Sequence, residues 1–106
     1  METLRRALDA AQSGGDPDAE FDVAYPPGIR AVSSSFWTPV SVALRAAELL
    51  VTTASSRVLD VGSGVGKFCI IGAAATGATF TGVEHRPRFV SVAERVADLF
   101  GVASAH

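Results

Sequence analysis

At 106 residues and 10.9 kDa the chain has room for one domain, since domains usually hold about 50 to 250 residues. Hydrophobic residues make up 48% and charged residues 19%, enough for a buried core and too apolar for wholesale disorder. Nine bases against eleven acids, a formal charge of −2, exclude the basic excess of an autonomous nucleic-acid binder, although nucleic acid stays open as a substrate.

Leu4, Leu8 and Ala11 share one side at helical spacing, with Thr3 placed to cap and Gly14-Gly15 to end the pattern, which predicts a short amphipathic helix. From Ser13 to Ser35 the sequence turns to GGDPDAEFD, YPPG and a serine triplet, rich in breakers, and reads as an irregular arm. Asp16, Asp18, Glu20 and Asp22 lack the glycine and distal glutamate of a calcium loop and read as a solvated acidic turn. Thr38-Pro39 is a helix start, with threonine as cap and proline in the first turn. Val40, Ala43, Leu44, Ala47, Leu50 and Val51 form the apolar stripe of that helix, and Arg45 and Glu48 lie off it.

Arg57 to Val61 is a short apolar run of the kind buried on both faces of a parallel sheet. Val65 to Thr76 reads as a helix whose alanines and Gly72 allow close packing, closed by Gly77. Thr79 to Val83 is β-branched and aromatic, a second strand. Pro87 opens a last helix with Phe89, Val92, Ala93, Val96 and Leu99 on one face, stopped by Gly101. The β-α-β-α order predicts an α/β fold, because parallel strands need crossover connections.

The stretch Val58-Leu59-Asp60-Val61-Gly62-Ser63-Gly64-Val65-Gly66-Lys67 runs from strand through alternating glycines into a helix, which suits a turn whose backbone approaches a ligand closely. A dinucleotide fingerprint counted from Gly62 would put Lys67 at its third glycine. A phosphate-binding P-loop would need glycine at Val61 and a hydroxyl residue at Phe68. What remains is Asp60-x-Gly62-x-Gly64-x-Gly66 after a strand, with Glu84 at the end of the next.

This pattern resembles motif I and the following acidic position of class I S-adenosylmethionine-dependent methyltransferases, and the run from Phe36-Trp37-Thr38-Pro39 to TGVEHRP is similar to a bacterial branch whose glycine loop is like that of a class of histone-lysine methyltransferases. The resemblance implies a partial Rossmann-like methyltransferase fold, a parallel β-α-β-α core preceded by N-terminal helices. Residues 1–35 would be an N-terminal helix and irregular arm, and 36–106 an incomplete cofactor-binding domain. S-adenosylmethionine is the implied cofactor, with Gly62, Ser63, Gly64 and Gly66 passing beneath it. Glu84 would accept from its ribose hydroxyls, a task suited to an acceptor-only carboxylate. Asp60 would help hold its amino end, or alternatively cap the loop amides. Phe36, Trp37 and Thr38 would cover the methionine end, or serve as a hydrophobic anchor.

His85 follows the acid and reads as cofactor lining, with a general base or a surface histidine as alternatives. Cys69 reads as packed. Arg86, Arg88 and Arg95, interleaved with Glu94 and Asp98, read as an ordinary charged face. His106 stands alone, so no metal site is expected. One cysteine and a start without an apolar signal core point to a cytoplasmic protein without a membrane span.

Methyl transfer is the expected activity, with catalytic residues and acceptor unassigned. A six-strand alternating sheet needs roughly 150 residues at usual element lengths, so the expectation is a cofactor-binding half whose substrate half lies elsewhere. Its exposed sheet edge would invite self-association or a partner chain. The rival readings are a nucleotide-binding module for NAD, or an interaction module.

Overall fold

The computed structural model describes residues 16–30 and 37–102. The helix expected near the N-terminus, Phe36 and His106 lie outside them. The described residues form helices α1 (Pro17–Asp22), α2 (Pro27–Arg30) and α3 (Val40–Leu50), strand β1 (Arg57–Val61), helix α4 (Lys67–Thr76), strand β2 (Thr79–Val83) and helix α5 (Pro87–Phe100). None of these helices is long and apolar enough to cross a membrane.

The two strands pair in parallel with Val58 beside Phe80, Asp60 beside Gly82 and Val61 beside Val83. Side chains alternate across a strand, so Val58, Asp60 and Phe80 face one layer and Leu59, Val61, Thr81 and Val83 the other. On the first face Phe80 lies against Gly72 of α4, where an added Cβ would overlap its ring. The Phe68 ring meets Phe80 edge-on at 5.5 Å, closing the smaller of two hydrophobic clusters with Ala47, Cys69 and Ala78.

The opposite face is open. Leu59 is 62%, Val61 77% and Val83 50% exposed, which corrects the expectation that β1 is buried on both faces. An apolar strand can be covered on both sides only where two layers exist, and among the described residues the helical layer lies on one side.

The breaker-rich arm also differs from expectation, because it holds two short helices. Asp16 caps α1, its Oδ1 accepting the N–H of Asp18 and of Ala19 at 3.1 Å each, and Pro17 occupies the first turn, where no N–H is needed. Phe21, Tyr25 and Ile29 then enter the larger cluster together with Val40, Val65, Ile70, Val96 and Phe100. Phe21 stacks on Phe100 at 4.9 Å with the rings 5° from parallel. Burying a phenylalanine is worth about 1.5–3 kcal/mol, so this pair ties the arm to the end of α5.

Two helix faces rotate slightly from the sequence reading. In α5 Val92, Ala93, Val96, Ala97 and Phe100 are buried, whereas Leu99 is 63% exposed. In α3 Val40, Ala43 and Ala47 face inward and Leu50 outward. Gly77 and Gly101 close α4 and α5 in the left-handed conformation, as the sequence predicts.

Candidate functional site

The glycine loop leaves β1 and is fastened at once to the end of β2. The Val83 carbonyl accepts the N–H of Gly62 at 2.7 Å and of Ser63 at 3.0 Å. That bond pair sets the next residue, Glu84, against the loop, and Glu84 Oε1 accepts the Gly64 N–H at 2.9 Å. The motif's acid and the motif's loop therefore touch across 20 residues of sequence.

Gly62, Gly64 and Gly66 all have positive φ, at 77°, 59° and 79°. At Gly64 the constraint is double, since an added Cβ would overlap the Trp37 indole nitrogen, while at Gly62 it would meet open space. Trp37 thus lies on the loop, and Phe89 meets it edge-on at 5.8 Å. Gly66 caps the N-terminus of α4 and is buried.

Beside the loop a small cleft of about 90 Å³ is lined by Trp37, Thr38, Asp60, Gly62, Ser63, Lys67 and Phe68. Five of the sequence-predicted residues are gathered here. Ser63 is 5% exposed, and its Oγ has no hydrogen-bond partner among the described residues. A buried hydroxyl without a partner is costly unless something supplies one. Asp60 lies close enough to Cys69 to add to the burial that pushes this thiol up to about 12, so Cys69 is protonated and packed.

The carboxylate of Glu84 is covered by its neighbours, its side chain 1% exposed. Oε2 accepts the Arg86 N–H at 3.0 Å and Arg86 Nε at 2.7 Å. Oε1 also accepts Arg86 Nη2 at 3.3 Å. The Arg86 side-chain bonds hold the carboxyl down at about 2, aided by the backbone N–H groups of Arg86 and Gly64 and opposed by desolvation. Arg86 therefore leaves the charged face on which the sequence reading put it, and its guanidinium lies 4.2 Å over the Phe89 ring. His85 stands beside the cleft rather than in it, with Nδ1 3.5 Å from Glu84 Oε2 and the side chain 87% exposed.

A second correction concerns the acidic turn, in which Asp18 and Asp22 pair with Lys67 rather than with solvent alone. Lys67 is 2% exposed, and its Nζ lies 2.7 Å from Asp18 Oδ1 and 3.0 Å from Asp22 Oδ1. Asp18 Oδ1 also accepts the Val40 N–H at 2.7 Å. It caps α3 across space, replacing the Thr38 cap that the sequence suggests, since no side chain caps this helix at Pro39. The Tyr25 hydroxyl donates to the Val65 carbonyl at 3.0 Å, and burial raises the phenol's pKa so that it stays a donor. The arm thus braces the glycine loop from behind through Asp18, Asp22 and Tyr25.

A larger groove of about 280 Å³ lies at the other end of the sheet, lined by Ala73, Gly77, Ala78, Thr79, Phe80, Gly101 and Val102. It contains none of the sequence-predicted site residues. Compared with known protein families, curated proteins and solved structures, the chain matches none.

Proposed function

We propose that the glycine loop and Glu84 form the cofactor half-site of an S-adenosylmethionine-dependent methyltransferase with a Rossmann-like fold. The observation that carries the reading is the 2.9 Å bond from Gly64 N–H to Glu84 Oε1. It brings a loop with positive-φ glycines against a carboxylate suited to hydroxyl donors. The unpartnered Ser63 hydroxyl supports the reading, because a ligand in the cleft would supply its missing bond.

In this assignment Glu84 accepts from the ribose hydroxyls, and Gly62 and Gly64 let the backbone approach the ligand. Asp60, Ser63 and Thr38 bind its polar amino-acid end, where a carboxylate favours the ammonium and the nearby positive sulfur. Trp37 covers the loop and excludes water. When bound, the cofactor would supply an electrophilic methyl group for an in-line displacement, and the chain's contribution is alignment. The cleft, at about 90 Å³, is smaller than the roughly 300–1,000 Å³ of a site enclosing a whole small ligand, so it fits one end of the cofactor.

Thermal-shift measurement with S-adenosylhomocysteine and NAD side by side tests this reading against the dinucleotide alternative. Stabilisation by S-adenosylhomocysteine alone is expected. Stabilisation by NAD alone would replace the reading with its rival.

A second reading, as an interaction module, is favoured by the open sheet face. Leu59, Val61 and Val83 are each at least half exposed, and parallel sheets are ordinarily covered on both faces. In this reading a second copy or another polypeptide pairs with the sheet edge and covers that face. Light scattering of the chain and of Leu59→Lys distinguishes the outcomes. Self-association lost in the variant supports pairing between copies, and a monodisperse monomer at all concentrations contradicts it.

A further inference from the structure

We infer that the Arg86 side chain is an internal stand-in for the ligand's vicinal diol on Glu84, and that it lowers the site's affinity by competing for that carboxylate. The inference rests on the reading of Glu84 as a hydroxyl acceptor.

An ionised carboxylate offers about four lone-pair directions, two on each oxygen. On Glu84 all of them are taken. Oε1 accepts from Gly64 N–H at 2.9 Å and Arg86 Nη2 at 3.3 Å, and Oε2 from Arg86 N–H at 3.0 Å and Arg86 Nε at 2.7 Å. The two backbone donors are fixed by the loop and by the start of α5. The two side-chain donors belong to one group that can leave, because the Arg86 side chain is 52% exposed and has solvent beside it.

A vicinal diol brings two O–H donors on adjacent atoms. It can replace Nε–H and Nη2–H one for one and leave no lone pair of the carboxylate unfilled. A ligand with one hydroxyl restores half of what Arg86 gives up, and one with none restores nothing. The occupied state is also held from the side, since the guanidinium rests 4.2 Å over Phe89 and Phe89 in turn braces Trp37. Arg86 thus penalises every ligand equally, and diols alone recover the loss.

Titration calorimetry on the full chain, unaltered and as Arg86→Met, tests the competition with S-adenosylhomocysteine and its 2′,3′-dideoxy analogue. The methionine keeps an apolar cover on Phe89 and removes the donors. The variant is expected to bind S-adenosylhomocysteine and the dideoxy analogue each about two- to fivefold more tightly, the fold-change that losing a half-exposed ion pair allows, with the preference between them unchanged. Equal or weaker binding by the variant, with the unaltered protein still binding, overturns the inference and leaves the cofactor reading standing. Absence of binding to both proteins overturns the reading and the inference with it. In the unaltered protein the Arg86 Nε–H resonance should lose its exchange protection as S-adenosylhomocysteine saturates the site, and a resonance unmoved at saturation also overturns the inference.

Discussion

Lys67 Nζ lies 2.7 Å from Asp18 Oδ1 across 49 residues of sequence, joining the first helix of the arm to the first turn of the helix that follows the glycine loop. Because Lys67 is 2% exposed, removing either partner has unequal consequences. Lys67→Ala leaves Asp22 buried and both carboxylates without their counter-charge, and it should cost about 3 kcal/mol. Asp18→Ala keeps Lys67 paired with Asp22 but removes the acceptor for Val40 N–H, and should cost about 1 kcal/mol, the worth of a helix cap. Urea denaturation of both variants and the double variant checks the pair, with non-additivity expected.

The glycines of the loop should separate in their tolerance of alanine. Gly62 has room for a Cβ and carries only the backbone cost of its positive φ, about 1–2 kcal/mol. Gly64 carries the same cost and a collision with the Trp37 indole. Gly64→Ala should therefore displace Trp37, seen as a shift in tryptophan fluorescence, whereas Gly62→Ala should leave the emission unchanged.

Acid should destabilise the chain through Glu84. Its carboxyl lies at about 2 in the folded protein, below the ordinary value of 4.5, so the folded state binds this proton less readily than the unfolded one. The resulting stability is fully present above about pH 4.5 and is lost as pH falls through about 2. Thermal melts of the unaltered chain and of Glu84→Gln across that window check the sign. The unaltered chain should lose more of its melting temperature than the variant, and equal losses would remove Glu84 from the account.

Much of the order β1-α4-β2-α5 is written in local signals: the apolar run before Gly62, the left-handed Gly77 and Gly101, and proline at the head of α5. Helix α1 also had a local signal, Asp16 as cap and Pro17 behind it, but the surrounding breakers masked it. The exposure of Leu59 and Val61 was not legible, because an apolar strand carries no record of whether a second layer covers it. The brace was hidden for another reason. Lys67 with Asp18 and Tyr25 with Val65 are pairs 49 and 40 residues apart, and only the packed fold brings them together. At the candidate site, the residue types around Glu84 were readable, while the turn of Arg86 back onto it depends on a side-chain direction that no spacing rule supplies.

In the proposed function a ligand with an adenosyl group binds at the glycine loop and Glu84. A nitrogen-15 chemical-shift titration of the full chain with S-adenosylhomocysteine tests it most directly. Saturable shifts are expected, centred on the amides of Gly62, Ser63, Gly64 and Glu84 and absent in Glu84→Ala. Spectra unchanged at millimolar ligand, or shifts centred on Gly77 and Gly101 at the opposite end of the sheet, would contradict it.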